Sequence, residues 1–168
     1  MPDVAQLFLD KSRHLLLAEY RPVLRQCLDH LDDADIWWRP NDSTNSIGNL
    51  ILHLTGSLKQ WIIGGVAGRQ IERDRQREFA ERGPISRDDL WAGLEATLRE
   101  VDEVLGGLNA ASLVSRRQVL SYDVTVLEAI YHVVDHFGHH AGQIITLTKL
   151  RTAKELGIWS QRTIAVSR

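Results

Sequence analysis

The sequence predicts an all-α protein, a four-helix bundle, and three observations carry that prediction. Apolar residues recur at three- and four-residue spacing through four long segments. Only four prolines occur (Pro2, Pro22, Pro40 and Pro84), and most of them punctuate those segments rather than interrupt them. Capping signals stand where segments should begin, and paired glycines where two of them should end.

The first helix is expected from about residue 4 to about residue 31, with Leu7, Phe8, Leu15, Leu16, Leu24, Cys27, Leu28 and Leu31 on its apolar stripe. Asp3 is its candidate N-cap, and Pro22 predicts a kink or local break. The segment DDADIWWRPNDSTN reads as a polar loop. A second helix should open near Asn45 or Ser46 and reach about Val66, its last turn weakened by Gly64 and Gly65. The next stretch, AGRQIERDRQREFAERGP, mixes five arginines with four acids and reads as a solvated connection. A third helix starts at Ser86, presents Leu90, Leu94, Leu98, Val101 and Leu105 on one face, and stops at Gly106 and Gly107. The short alternating run in SLVSRRQVLSYD could be extended. Thr125 with Glu128 forms a capping box for a fourth helix that reaches about Arg151.

The chain of 168 residues suits one domain over residues 1–168. Its hydrophobic share of 43% and charged share of 25% are those of an ordinary globular domain. A net charge of −2 gives no reason to expect nucleic acid or an anionic membrane as partner. No apolar run is long enough to span a bilayer. The single cysteine, Cys27, excludes an internal disulfide and lies on an apolar stripe, where it reads as core. With no basic region leading into an apolar run at the N-terminus, a cytoplasmic setting is expected.

Histidine is where chemistry should be sought. Of seven histidines, His132, His136, His139 and His140 fall within nine positions of the fourth helix. At about 100° per residue, His136 and His140 approach the apolar face, at roughly 40° and 80° from His132, whereas His132 and His139 point away from it. His136 and His140 are an i, i+4 pair whose imidazoles can reach one point. On the second helix, His53 sits in the middle of a stripe formed by Ser46, Asn49, His53, Ser57 and Gln60, at the border of the core. Three histidines from two helices would make a tripod with one or more coordination positions open. The alternative from periodicity alone is that His53 is a hydrogen-bonded core histidine and the pair a coincidence of spacing. His132, His139, Asn49, Ser57 and Gln143 are candidates to support the tripod or line a pocket, and Trp37 and Trp38 to cover its mouth. Trp61 and Trp91 read as core; Trp37 and Trp159 could line a pocket or fill the bundle.

The stretches WWRPNDSTNSIGNLILHLTGSLKQWI and YHVVDHFGHHAGQI resemble the DinB/YfiT-like superfamily, over residues 36–150. The resemblance implies a four-helix bundle with up-down-down-up connectivity, a homodimer, and a divalent metal, zinc or nickel, held by His53, His136 and His140. Three neutral imidazoles would also accept iron or manganese. Many members carry arginine at the position of Ala141, so an anion contact made there is not expected in this chain. Some members are thiol transferases or isomerases that use a small thiol cosubstrate, and others are called hydrolases.

The expected function is therefore a metal-dependent enzyme acting on a small molecule, in which the metal activates a small thiol for S-transfer to an electrophile. A hydrolase using water at the same position is the first alternative. A non-catalytic metal-binding or interaction bundle is the second, and it predicts a coordination sphere closed by a fourth protein ligand.

Overall fold

The computed structural model describes residues 3–83 and 85–158; Pro2, Pro84 and Trp159 lie outside the described residues. Helix α1 covers residues 4–29 and changes pitch twice. It is α-helical over Val4–His14, π-helical over Leu15–Tyr20 and α-helical again over Arg21–Asp29. Asp3 caps it by accepting from the Ala5 N–H. No break occurs at Pro22, because the backbone stays right-handed through both junctions. The widened π turns lie directly before the proline, where a regular turn would press its ring against the carbonyl four residues back.

The predicted loop contains a short helix, α2 (Asp33–Trp37), closed by reciprocal bonds between Asp32 and Asp35. Helix α3 covers residues 47–66, α-helical over Ile47–Leu58 and π-helical over Lys59–Val66. Ser46 caps it and exchanges hydrogen bonds with Asn49. The connection after α3 also holds a helix, α4 (Arg75–Ala80), capped by Asp74. Helix α5 (Arg87–Gly106) begins at the Ser86 cap and stops at Gly107. A single turn, α6 (Ala110–Leu113), leads into the strands β1 (Arg116–Val119) and β2 (Tyr122–Thr125). These pair antiparallel, with Val119 opposite Tyr122 at the tip. Gly65 lets this hairpin close on α3, since a Cβ there would stand 2.5 Å from Val119. Helix α7 (Val126–Thr152) starts from the Thr125–Glu128 capping box and ends at Ala153 in the left-handed region.

Contacts between ends fix the direction of each long helix. Trp37, whose ring lies against Gly48 in the first turn of α3, donates its indole N–H to Ile85, just before α5. Arg69, just after α3, pairs with Glu100 near the end of α5, so α3 and α5 run parallel. Arg13 pairs with Asp102 and Arg21 with Glu95, which sets α1 antiparallel to α5. Arg151, at the end of α7, pairs with Asp35 before α3, so α7 opposes α3. Gln26 near the end of α1 donates to the Leu156 carbonyl beyond the end of α7, so those two run together. The connectivity is up-down-down-up.

Between the four helices lie Leu16, Leu24 and Leu28 of α1, Leu50, Leu54 and Leu58 of α3, Leu94 and Leu98 of α5, and Ile130, Phe137 and Ile144 of α7, all buried. Cys27 is buried with them, and burial pushes its thiol up to about 11 against the opposing effects of Thr148 and Lys149. Among the described residues no helix is long and apolar enough to cross a membrane. Because Leu94 is fully buried and makes no polar contact, Leu94→Ala should cost about 2–5 kcal/mol. Urea denaturation checks this as a lower midpoint at unchanged slope.

Candidate metal centre

His53 lies in the second turn of α3, and His136 and His140 on successive turns of α7, where these antiparallel helices pack together. The three side chains turn the same atom toward a common point. His53 Nε2 is 3.0 Å from His136 Nε2, which is 3.1 Å from His140 Nε2. Their ligand atoms all lie within 4.8 Å of one another, and the rings meet edge to face.

The outer nitrogens decide what the inner ones can do. His53 Nδ1 faces Glu78 Oε2 at 2.9 Å, and His140 Nδ1 faces Gln143 Oε1 at 2.7 Å. A carboxylate and an amide oxygen both accept, so these contacts favour the proton on each Nδ1 and a lone pair on each Nε2; at His53 the Glu78 oxygen, at 2.9 Å, stands closer than the competing Arg73 Nη2, at 3.2 Å. A proton on His136 Nε2 would have to be shared between two acceptors. A divalent cation about 2.0–2.1 Å from each nitrogen would instead satisfy all three, since tetrahedral ligands then stand about 3.3 Å apart. The residues therefore fit a metal ion.

The stretch expected to be a solvated connection packs against the site. Glu78 of α4 receives both Arg73 Nε, at 2.7 Å on Oε1, and Arg73 Nη2, at 2.9 Å on Oε2. Both side chains are only 10% exposed. Phe79 lays its ring 4.6 Å from that of His53. Asn49, fully buried, donates through Nδ2 to the carbonyls of Glu78 and Glu81, 2.9 Å each, and so pins the segment to α3. Gly56, one turn beyond His53, has no side chain where a Cβ would overlap Glu78 Oε1. Mixed charge hid this pairing in the sequence. The available signals were Ile71 and Phe79, the large apolar residues within the charged run.

The other candidates fall in different places. His132 is exposed overall, yet its ring lies 4.2 Å from Trp61 and 5.6 Å from His136. Trp61 in turn lies 6.0 Å from Tyr122 of the hairpin, so an aromatic row leads from β2 to the triad. His139 points outward, 3.6 Å from Asp135. Ser57 is buried on α3. Trp38 lies under Arg151 at the far end of α7, away from the triad. Ala141 is buried beside an apolar cleft of about 470 Å³ between α1 and α7.

A helical bundle that gathers three histidines from two antiparallel helices is the class of protein that this fold and site define. Residues 3–167 match the family described as proteins of unknown function, DUF1572, and the chain belongs to that family. Solved structures that share the fold include the following three. A conserved protein from Enterococcus faecalis matches with a TM-score of 0.71 at 16% identity, covering 92% of this chain and all of its own. A DinB-like protein from Bacillus cereus gives 0.64 at 16% identity, over 79% of this chain and 86% of its own. A DinB-like protein from Bacillus subtilis, YjoA, gives 0.65 at 15% identity, over 86% and 94%. The fold is thus DinB-like, as the sequence resemblance implies. No curated protein matches the chain.

Burial, then the neighbouring His140, His53 and His132, lowers His136 to about 3. Burial also lowers His140, against the opposing hydrogen bond from Gln143. Burial alone would raise the Glu78 carboxyl, but Arg73 and His53 outweigh it and hold it below the usual range. Between the ordinary histidine value of 6.5 and about 3, the unfolded chain binds a proton at His136 that the folded chain refuses. Stability of the metal-free protein should therefore fall as pH drops through that window, and His136→Gln should flatten the fall. Thermal unfolding in chelator across a pH series checks the sign.

Proposed function

We propose that His53, His136 and His140 hold a divalent cation and that the chain is a metal-dependent enzyme activating a small thiol for transfer to an electrophile. The observation that carries this reading is the convergence of three Nε2 atoms, two of them with the proton drawn to the opposite nitrogen. Three protein donors leave room for an exogenous ligand, the mark of a catalytic rather than a structural site. When bound, the ion supplies Lewis acidity that lowers the pKa of a thiol or a water at its remaining position.

The protein's own residues hold and orient. Glu78 and Gln143 fix the ring orientation of His53 and His140. The aromatic row of Tyr122, Trp61 and His132 forms a wall beside His136 that can shield a bound molecule from water. Beyond Gln143 a cleft of about 650 Å³, lined by Thr44, Asn45, Leu50, Thr146 and Leu147 among others, offers space for a small molecule.

Transfer is preferred to hydrolysis on one observation. Among the described residues, the carboxylate bonded to the triad is Glu78, and both its oxygens are occupied by Arg73 and His53. It is therefore not free to take a proton from an attacking water, and a thiol, with its lower intrinsic pKa, depends less on such a base than a water does. The proposal includes a small-molecule substrate and a homodimer, which the family resemblance implies. His136→Ala should abolish stoichiometric metal content, measured by elemental analysis; retained metal would remove the site assignment. Metal-loaded protein should consume a model electrophile only when a small thiol is added. Equal consumption without thiol would favour the hydrolase.

A further inference from the structure

The geometry points to Glu78 as a positioning residue for His53: braced by Arg73 in the slot that Gly56 leaves open, it sets how strongly His53 grips a divalent ion. The inference rests on the three-histidine metal site proposed above and adds to it the residues that tune that site.

The three histidines are not supported alike. Gln143, on the outer nitrogen of His140, is neutral and exposed. Glu78, on the outer nitrogen of His53, is a carboxylate at 2.9 Å with a side chain 10% exposed. An ionised acceptor makes the stronger hydrogen bond, and it gains further in a site that excludes water. A carboxylate on the outer nitrogen of an imidazole fixes its tautomer, limits ring rotation and increases electron donation from the inner nitrogen. Of the two donors whose outer nitrogens meet an acceptor, His53 is thus the better prepared, even with Arg73 Nη2 at 3.2 Å from the same nitrogen.

Glu78 cannot easily drift from this position. Arg73 grips it with two parallel hydrogen bonds. Asn49 holds the backbone carbonyl of Glu78 itself, and Phe79 packs against the His53 ring. Gly56 gives an independent handle on the arrangement, because any side chain there would occupy the place of Glu78 Oε1 without altering the carboxylate chemically.

The test measures affinity for Zn²⁺ by competition with a chromophoric chelator, and the visible bands of bound Co²⁺, in wild type, Glu78→Ala, Glu78→Gln, Gly56→Ala and His136→Ala. Glu78→Ala should weaken Zn²⁺ binding about 10–100-fold and shift the Co²⁺ bands. Gly56→Ala should move both readouts in the same direction. Glu78→Gln, which keeps an acceptor for the His53 Nδ1–H but not its charge, should recover part of the affinity. Thermal unfolding in chelator reports whether each metal-free variant is folded. If Glu78→Ala is not, Gly56→Ala and Glu78→Gln decide, the first weak and the second closer to wild type in support. Wild-type affinity and unchanged Co²⁺ bands in the folded variants would overturn the role of Glu78 while leaving the metal site standing. Failure of wild type to bind a stoichiometric ion, or retention by His136→Ala, would instead overturn the site.

Discussion

Because α3 and α5 run parallel, the chain leaving Val66 at one end of the bundle must return to Ser86 at the other, and the rest of the site follows from that crossing. Twenty residues of helix at 1.5 Å each set a span of about 30 Å. An antiparallel pair would need only a short turn. The crossing carries the chain past His53, and there α4 forms and lays Glu78 and Phe79 against the ring. A bundle of ordinary up-down order could present the same three histidines, but it would have no returning segment with which to cover one of them.

Burying an arginine and a glutamate beside a histidine carries a desolvation cost that their attraction does not reliably repay. The arrangement therefore gives little reason to expect added stability. Its details point to specification of one geometry instead. Two parallel hydrogen bonds fix the carboxylate to Arg73, and a third directs it at a single nitrogen. The surrounding residues are matched to it, from the amide of Asn49 to the missing side chain at Gly56. An apolar replacement of the pair could pack as well, but it would leave His53 Nδ1 without an acceptor inside the protein.

The long helices were legible because burial imposes a period on the sequence, and their caps were legible because Asp3, Ser46, Ser86 and Thr125 satisfy backbone N–H groups through local contacts. The candidate ligands were legible for the same reason, since helical phase alone separates His136 and His140 from His139. Pro22 marked a local irregularity, which takes the form of a π-helical stretch upstream rather than an interruption of the helix. The 67–85 connection was illegible in a deeper way. Five arginines and four acids within a short stretch admit many pairings. Which carboxylate is buried depends on contacts with Asn49, His53 and Gly56, far away in sequence, and no local pattern records them.

A substrate at the proposed centre would meet two unlike flanks. His53 is enclosed on its outer side by Glu78, Arg73 and Phe79, and His140 is tied through Gln143 to the surface of α7. The flank of His136 is different in kind. It meets His132, then Trp61, then the exposed Tyr122, a row of rings with polar tips and apolar faces. Rings of this type lose little conformational entropy on binding and contact apolar or planar groups well. They also come from three separate elements, α7, α3 and the hairpin, so this wall can be remodelled without disturbing the braced ligand on the other side. On the proposed metal-dependent reading, division of the centre into a rigid, charge-supported flank and an aromatic, partly exposed flank would make the His136 side the natural place for substrate selection.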